Sequence, residues 1–323
     1  MAPSGRLLAV HAHPDDETLA TGALLATWAA AGEPVAVVTC TRGERGEVID
    51  TPSHPTGVGQ LEGDGPALAA HRERELAGAL AALGVHEHLF LDSVPAPGAG
   101  DGASRLEDSG MSWVSPGVAG PADDAPATAF SRVPLDESAR RLAAVVRAWR
   151  PDVVATYEPG GGYGHPDHVR THDVAARALE LAANGGAALP GDPWTAELWE
   201  AVVPESEARA ARRALAADPA VRRLATVEGL DLPDAAGPLP PVAKRAVELA
   251  GRQIVRIEVA PVLDALLAAM RAHATQVQHV AACAADDGDG PVLLGRYALS
   301  NAVLAPIGVR ETYVRRARVG SPR

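Results

Sequence analysis

Apolar positions in the first half of the chain follow two alternating rhythms. Leu7 to Val10 is an unbroken apolar run, the pattern of a strand buried on both faces. Glu17 to Ala31 has the wider apolar spacing of a helix, with Gly32 as its stop. Pro34 to Thr39 is rich in β-branched residues and predicts a second strand. Pro66 to Leu83 predicts a helix ending before Gly84, followed by a short strand near His88 to Leu91. Leu142, Val145, Val146 and Trp149 recur at helical spacing and predict a helix over Leu135 to Trp149. Pro151 then leads into a strand from Asp152 to Thr156, and His168 to Ala183 predicts the next helix. This β-α-β alternation implies an α/β fold: a Rossmann-like, mostly parallel sheet with helices on both faces.

Two stretches break the rhythm. Residues 95–134 are rich in Pro, Gly, Ala, Ser and Asp and read as a long loop over one edge of the sheet. Residues 217–250 carry many Pro and Ala and connect to a C-terminal portion, where Gln253 to Val259 alternates like a strand and Val262 to Arg271 is helical. The expectation is one domain over 1–323, with a core at about 5–203 and a C-terminal portion at about 204–310 that helps cover the site. Asp286, Asp287 and Asp289 read as a solvated turn, because the segment lacks the ligand pattern and closing Glu of a calcium loop.

Composition narrows the function classes. The chain has 29 basic and 41 acidic side chains, a formal charge of −12, which argues against a nucleic-acid partner needing a basic footprint. Cys40 and Cys283 are too few for a disulfide framework, so a cytoplasmic location is expected. No signal peptide is visible, and no stretch approaches the roughly 20 apolar residues of a membrane span, so no membrane partner is expected.

The chemistry sits at two strand ends. The first strand runs into His11-Ala12-His13-Pro14-Asp15-Asp16-Glu17, two histidines and three carboxylates within seven residues. In a doubly wound sheet the loop leaving a strand's carboxyl end is where ligands bind. If a helix starts there, His13 and Asp16 converge on one point as a nitrogen–oxygen ligand pair suited to zinc. Asp15, between them, is a candidate carboxylate aimed at a metal-activated water. The second cluster, Tyr157 to His168, follows the strand 152–156 and should meet the first at the same sheet edge. It holds four glycines in the five positions 160–164, then His165-Pro166-Asp167-His168. One histidine from this run completes three protein ligands and leaves a position for water.

These residues resemble the PIG-L (LmbE-like) deacetylase family, whose hallmark is Ala-His-Pro-Asp-Asp-Glu after the first strand and a later His-Pro-Asp-His. Both stand here, at Ala12 to Glu17 and His165 to His168. Smaller blocks are similar to an actinobacterial branch of mycothiol biosynthesis: Val38 to Thr41, Gly43-Glu44, Gly46-Glu47-Val48, Asp108 to Met111, Gly161 to Gly164 and Ala272 to Gln276. The resemblance implies deacetylation of an N-acetylglucosaminyl-inositol, a small N-acetylated amino-sugar glycoside, with Zn2+ as cofactor. Fe2+ suits the same donors. It further implies His13, Asp16 and His168 as ligands and Asp15 as general base. His165 becomes the oxyanion-stabilising histidine, Asp167 the residue orienting its ring, and Tyr163 a mobile tyrosine at the acetyl carbonyl. Glu47, Arg72, Asp108 and Met111 match sugar- and inositol-recognition positions, and Asn301 is a further pocket candidate. Either Asp15 or His165 could protonate the leaving amine. Arg72 and Glu75 could equally be solvated helix residues, and His71, His86 and His88 read as surface or packing residues.

Three other readings compete. A sister branch that cleaves mycothiol S-conjugates carries Lys before the first glycine of that helix and Pro before the second cluster's histidine, where this chain has Thr21 and Gly164. Another member type deacetylates glycopeptide antibiotic precursors. A non-catalytic sugar- or nucleotide-binding module would need a phosphate-cradling loop, and the carboxylates after the first strand would repel phosphate. No Gly-x-Ser-x-Gly elbow supports a serine hydrolase.

Overall fold

The computed structural model describes residues 3–95, 105–115, 117–184, 189–286 and 290–318. The first half runs β1 (Leu7–His11), α1 (Asp16–Ala30), β2 (Val35–Thr39), α2 (Gly65–Leu83), β3 (Glu87–Phe90), β4 (Met111–Ser115), β5 (Val118–Pro121), α3 (Leu135–Trp149), β6 (Val153–Tyr157), α4 (Gly161–Gly164) and α5 (Pro166–Asn184). Then come β7 (Glu197–Pro204), α6 (Glu205–Ala217), α7 (Pro219–Glu228), β8 (Ala243–Lys244), α8 (Ala246–Leu249), β9 (Gln253–Glu258), α9 (Leu263–Ala272), β10 (Gln278–Asp286), β11 (Pro291–Ala298), β12 (Leu304–Ile307) and β13 (Arg310–Arg316).

The central sheet has the order β3-β2-β1-β6-β7-β13-β9, with β8 added on β7. Its first five strands are parallel, while β13 lies antiparallel to both β7 and β9. Successive side chains of a strand point to opposite faces, and the core divides accordingly. Leu7, Ala9, Val35, Val37, Val153 and Ala155 pack on one face against α1, α2 and α9, through Trp28, Leu76, Leu83, Leu266 and Met270. Leu8, Val10, Ala36, Val38 and Val154 pack on the other against α3 and α5, through Leu142, Val146, Val174 and Leu179. A strand buried on both faces has no polar side to show, which is why β1 reads as a continuous apolar run. A smaller third core joins Leu215, Val221, Leu293 and Leu304 under α6, α7 and the β10-β11-β12 sheet.

Two expectations are corrected. The segment read as a long loop contains the β4–β5 hairpin, whose exposed Trp113 and Val114 give no buried-face alternation to read. The 217–250 connection contains α7, capped by Asp218 accepting from the Ala220 and Val221 amides, with Pro219 in the first turn and left-handed Gly229 at its end. Asp286 ends β10, and Asp287 and Asp289 lie outside the described residues. No described helix is long and apolar enough to cross a membrane.

One contact ties the end of the sheet to the helix that begins at the site. The Glu311 carboxylate of β13 accepts the backbone N–H groups of Ala23 (2.7 Å) and Leu24 (2.9 Å) in mid-α1, and the Tyr313 hydroxyl at 2.6 Å. Burial lifts its carboxyl from 4.5 to about 7, against those hydrogen bonds. The folded protein therefore holds this proton more tightly than the unfolded chain. The associated stability is full below about pH 4.5 and is lost as pH rises through about 7. Measured against Glu311→Gln, the parent protein should lose up to about 3 kcal/mol of unfolding free energy across that window. A difference between the two proteins that does not change with pH would show that this carboxyl does not titrate there.

Candidate active site

The site grows from the chain leaving β1. The pairing with β2 continues past the strand through Cys40 N–H to His11 O and Thr41 N–H to Ala12 O, both 2.8 Å, so His13 stands on a fixed edge. Asp15 then takes φ 123°, ψ −32°, a region that residues with a β-carbon avoid, at a cost of about 1–3 kcal/mol. That bend separates two neighbouring carboxylates. Asp16 opens α1 and accepts the His13 backbone N–H at 2.9 Å, while Asp15 turns towards Arg72 (3.4 Å).

Several buried groups hold the bend. The Asp15 N–H donates to Glu17 Oε2 at 3.0 Å, and Glu17 Oε1 meets His273 Nε2 at 2.7 Å. Arg72, on α2, donates to Pro14 O at 2.5 Å and Gly43 O at 2.8 Å. Gly43 has φ +64°, and a β-carbon there would lie 1.9 Å from the Arg72 guanidinium, so the position requires glycine.

The second cluster leaves β6. The Tyr157 hydroxyl accepts the Ala12 N–H at 3.0 Å, and its ring stacks on His168 at 4.3 Å and 11°. Glu158 organises the glycine loop by accepting from Gly160 N–H (2.8 Å), Gly162 N–H (3.1 Å) and Lys244 Nζ (2.8 Å). α5 begins at Pro166, which puts Asp167 and His168 in its first turn.

Three residues from the two clusters form a triangle, in which the two histidines meet different oxygens of Asp16. His13 Nδ1 lies 3.3 Å from Asp16 Oδ2, His168 Nε2 lies 3.3 Å from Asp16 Oδ1, and the two ring nitrogens are 3.3 Å apart. A tetrahedral divalent ion with donors at about 2.0–2.1 Å sets neighbouring donors about 3.3–3.4 Å apart; the two histidine nitrogens have that spacing and each lies at it from one Asp16 oxygen, so a small turn of the carboxylate suits such an ion. Two other groupings, His13-His165-His168 and His13-Asp108-Asp167, also bring donors within 4.8 Å. The contacts with Asp16 and His168 use His13 Nδ1. On the ring's other side, Nε2 faces Asp167 Oδ2 (3.2 Å) and Asp108 Oδ1 (3.5 Å). Carboxylates there place the proton on Nε2 and leave Nδ1 free to ligate.

The charges are set by this crowding. Burial would pull the His13 imidazole down, but Asp108, Asp16 and Asp167 outweigh it and hold it well above its usual range. Burial would lift Asp16, yet His168 and His13 hold it well below. Asp15 is raised to about 6 by burial, partly offset by the Arg72 charge. His165 is pushed well below the usual histidine range by burial and by His13 and His168. Its Nδ1 accepts the Asp167 backbone N–H at 3.1 Å, which leaves Nε2–H as its donor.

His13, Asp15, Asp16, His165, Asp167, His168 and Asp108 come together at one sheet edge. Tyr163 joins them through ring contacts with His168 (5.0 Å) and His165 (5.9 Å) and, on its outer side, with Trp113 (5.8 Å). Asp167 differs from its expected place: its carboxylate faces His13 and accepts from Ser109 N–H and Oγ–H, and only its backbone reaches His165. Side chains two apart on a helix turn away from each other. Asp108 touches His13 and also accepts from the Arg45 and Gly110 amides. Arg72 and Glu75 are buried rather than solvated, Glu75 accepting from the amide and hydroxyl of Thr275. Glu47 is exposed on the loop after β2, and Met111 opens β4. Asn301 is not brought in; it is exposed in the turn after β11 and its side chain accepts from Val303 N–H. Among residues without an assigned role, Tyr157 carries the clearest signal, as the last residue of a strand that ends in the cluster. His273 lies in the Ala272 to Gln276 block, whereas Trp113 has no comparable signal.

A parallel α/β sheet with an acidic, histidine-rich, metal-competent edge is the layout of a hydrolytic deacetylase. The chain matches the family model PIG-L, GlcNAc-PI de-N-acetylase, over residues 8–179, and it belongs to that family. It is 44% identical over 311 residues to the 1D-myo-inositol 2-acetamido-2-deoxy-alpha-D-glucopyranoside deacetylase of Kineococcus radiotolerans, a match covering 95% of this chain and 76% of the relative. The protein of the same description from Streptomyces avermitilis is 41% identical over 330 residues, covering 99% and 95%. Among solved structures, a deacetylase–teicoplanin complex aligns over 98% of this chain and 100% of that one, with TM-score 0.50 and 18% identity, a likeness of fold.

Arg72 provides a direct test of how the first loop is held. Arg72→Met strips donors from the Pro14 and Gly43 carbonyls and should cost about 2–5 kcal/mol, lowering Tm by about 3–7 °C. An unchanged melting curve would mean that the guanidinium does not support the loop.

Proposed function

We propose that this protein hydrolyses the acetamide of 1-D-myo-inositol 2-acetamido-2-deoxy-α-D-glucopyranoside to the free amine and acetate, with zinc held by His13, Asp16 and His168. The 3.3 Å triangle of donors carries the metal assignment. The similarity to deacetylases described with that substrate, over nearly the whole chain, supports the substrate. Iron(II) suits the same two-histidine, one-carboxylate set, which discriminates weakly between the two metals. When bound, the ion supplies Lewis acidity and draws the pKa of water towards about 7.

The chain's own groups do the rest. Asp15, outside the triangle and beside Arg72, accepts a proton from the attacking water. The water oxygen forms the new C–O bond. As negative charge grows on the amide oxygen, His165 Nε2–H and the Tyr163 hydroxyl donate to it. The C–N bond then breaks and the nitrogen takes a proton. His165 with Nδ1 occupied by a backbone donor is a neutral hydrogen-bond donor, so the proton that Asp15 collected is the one to return. Products are the amine and a carboxylate, with one water consumed. Asp167 is a positioning residue for His13. Glu47, Asp108 and Met111 are proposed to recognise the sugar and inositol.

Asp15→Ala should retain one equivalent of zinc and lose turnover by about 10²- to 10⁴-fold, whereas His13→Ala should lose the metal, as read by metal analysis beside amine release. Normal turnover by zinc-loaded Asp15→Ala would sink the base assignment. Amine release compared across N-acetylglucosaminyl-inositol, a mycothiol S-conjugate and free N-acetylglucosamine tests the substrate. A strong preference for the first is expected, and preference for the conjugate would overturn it.

A further inference from the structure

A cavity of about 610 Å³ opens directly beside the triangle, with Asp16, His168 and Tyr163 at one end. Its walls include Leu19, Val202, Leu266, Met270 and Ile307, and α6 contributes Ala211. Of its charged wall residues, Glu311 is held by the α1 amides and Tyr313, Arg310 by Glu258, and Arg212 by the carbonyls of Asp234 and Pro238, while Glu207 on α6 adds one further carboxyl to the wall. His13, Asp15, Asp108, His165 and Asp167 do not line it. The donor triangle thus separates a polar half-site from a mostly apolar one.

That asymmetry constrains how an N-acyl sugar lies across the site. The hydroxyl-rich sugar needs the polar half, with Asp108 and the residues around it. The mostly apolar half suits the part of the substrate without hydroxyls, which is the acyl group. An acetyl methyl is about the size of one water, whose share of volume is about 30 Å³, so acetate leaves nearly all of the cavity unfilled. A seven-carbon tail fills about 200 Å³ on the same scale. Cavities of about 300–1,000 Å³ lined by apolar groups commonly bind small ligands.

We propose that this cavity is an acyl-chain pocket, and that the enzyme also cleaves unbranched N-acyl groups from butanoyl to octanoyl on the same amino sugar. The proposal rests on the deacetylase reading above and extends it to a second substrate class. The reaction is the same hydrolysis: water forms the C–O bond, the C–N bond breaks, the nitrogen takes a proton, and the product is a fatty carboxylate.

The test uses zinc-loaded protein and one series of glucosaminyl-inositol amides carrying acetyl, butanoyl, hexanoyl and octanoyl groups. Each buried methylene should raise kcat/KM about fourfold until the chain outgrows the walls, so hexanoyl should exceed acetyl at least tenfold. Ala211→Phe and, separately, Ala305→Leu narrow the cavity away from the triangle. Both should remove that gain and leave acetyl turnover within about twofold, which also reports that the variants fold. Calorimetry gives a readout independent of turnover: octanoate should bind the parent protein at least tenfold tighter than acetate does, and lose that margin in Ala211→Phe. Acetyl cleavage with longer chains tenfold poorer would overturn the acyl pocket and leave the deacetylase reading standing. Inertness towards the whole series would overturn both, and octanoate affinity unchanged by both variants would place that binding elsewhere.

Discussion

Two adjacent carboxylates have to face different tasks, and the backbone at Asp15 makes that possible. In ordinary helical geometry Asp15 and Asp16 would diverge by the fixed angle of neighbouring residues. The positive φ of Asp15 instead sends one carboxylate into the donor triangle and leaves the other beside Arg72. The surroundings over-determine this strained bend through Arg72 on the Pro14 carbonyl, Glu17 on the Asp15 amide and His273 on Glu17. Such strain persists only where the structure around it is rigid.

The sheet supplies that rigidity. β1 and β6 are parallel neighbours, so both clusters leave at the same edge, and Tyr157 spans the gap by holding the Ala12 amide and stacking on His168. The C-terminal half is part of the same construction. Lys244 anchors Glu158 and thereby the glycine loop, and Thr275 holds Glu75 one helical turn from Arg72.

Much of this is legible in the sequence. The α/β class followed from strands buried on both faces alternating with helices. Both histidine-carboxylate clusters stood out because their residues are close in sequence and sit at strand ends. What stayed hidden depends on contacts between distant segments. Asp167 was paired with its sequence neighbour His165, but its carboxylate faces His13, 154 positions away. The β4–β5 hairpin was invisible because exposed strands lack a buried face to enforce alternation. Asn301 lay near sequence features of interest, yet its side chain closes a local turn. α7 carried legible caps at Asp218 and Gly229, masked by the Pro- and Ala-rich composition around them.

The Glu311 clamp on α1 has a consequence for how the molecule is made. Ala23 and Glu311 are separated by 288 positions, and β13 completes the sheet only by lying between β7 and β9. On the ribosome, the helix that carries the donor carboxylate emerges 288 positions ahead of the strand residue that braces it. Pairings over such distances form late and slowly. Until β13 is made, the nascent chain carries an unbraced helix and an incomplete sheet. A translation product cut short before β13 lacks the brace on the helix that carries Asp16.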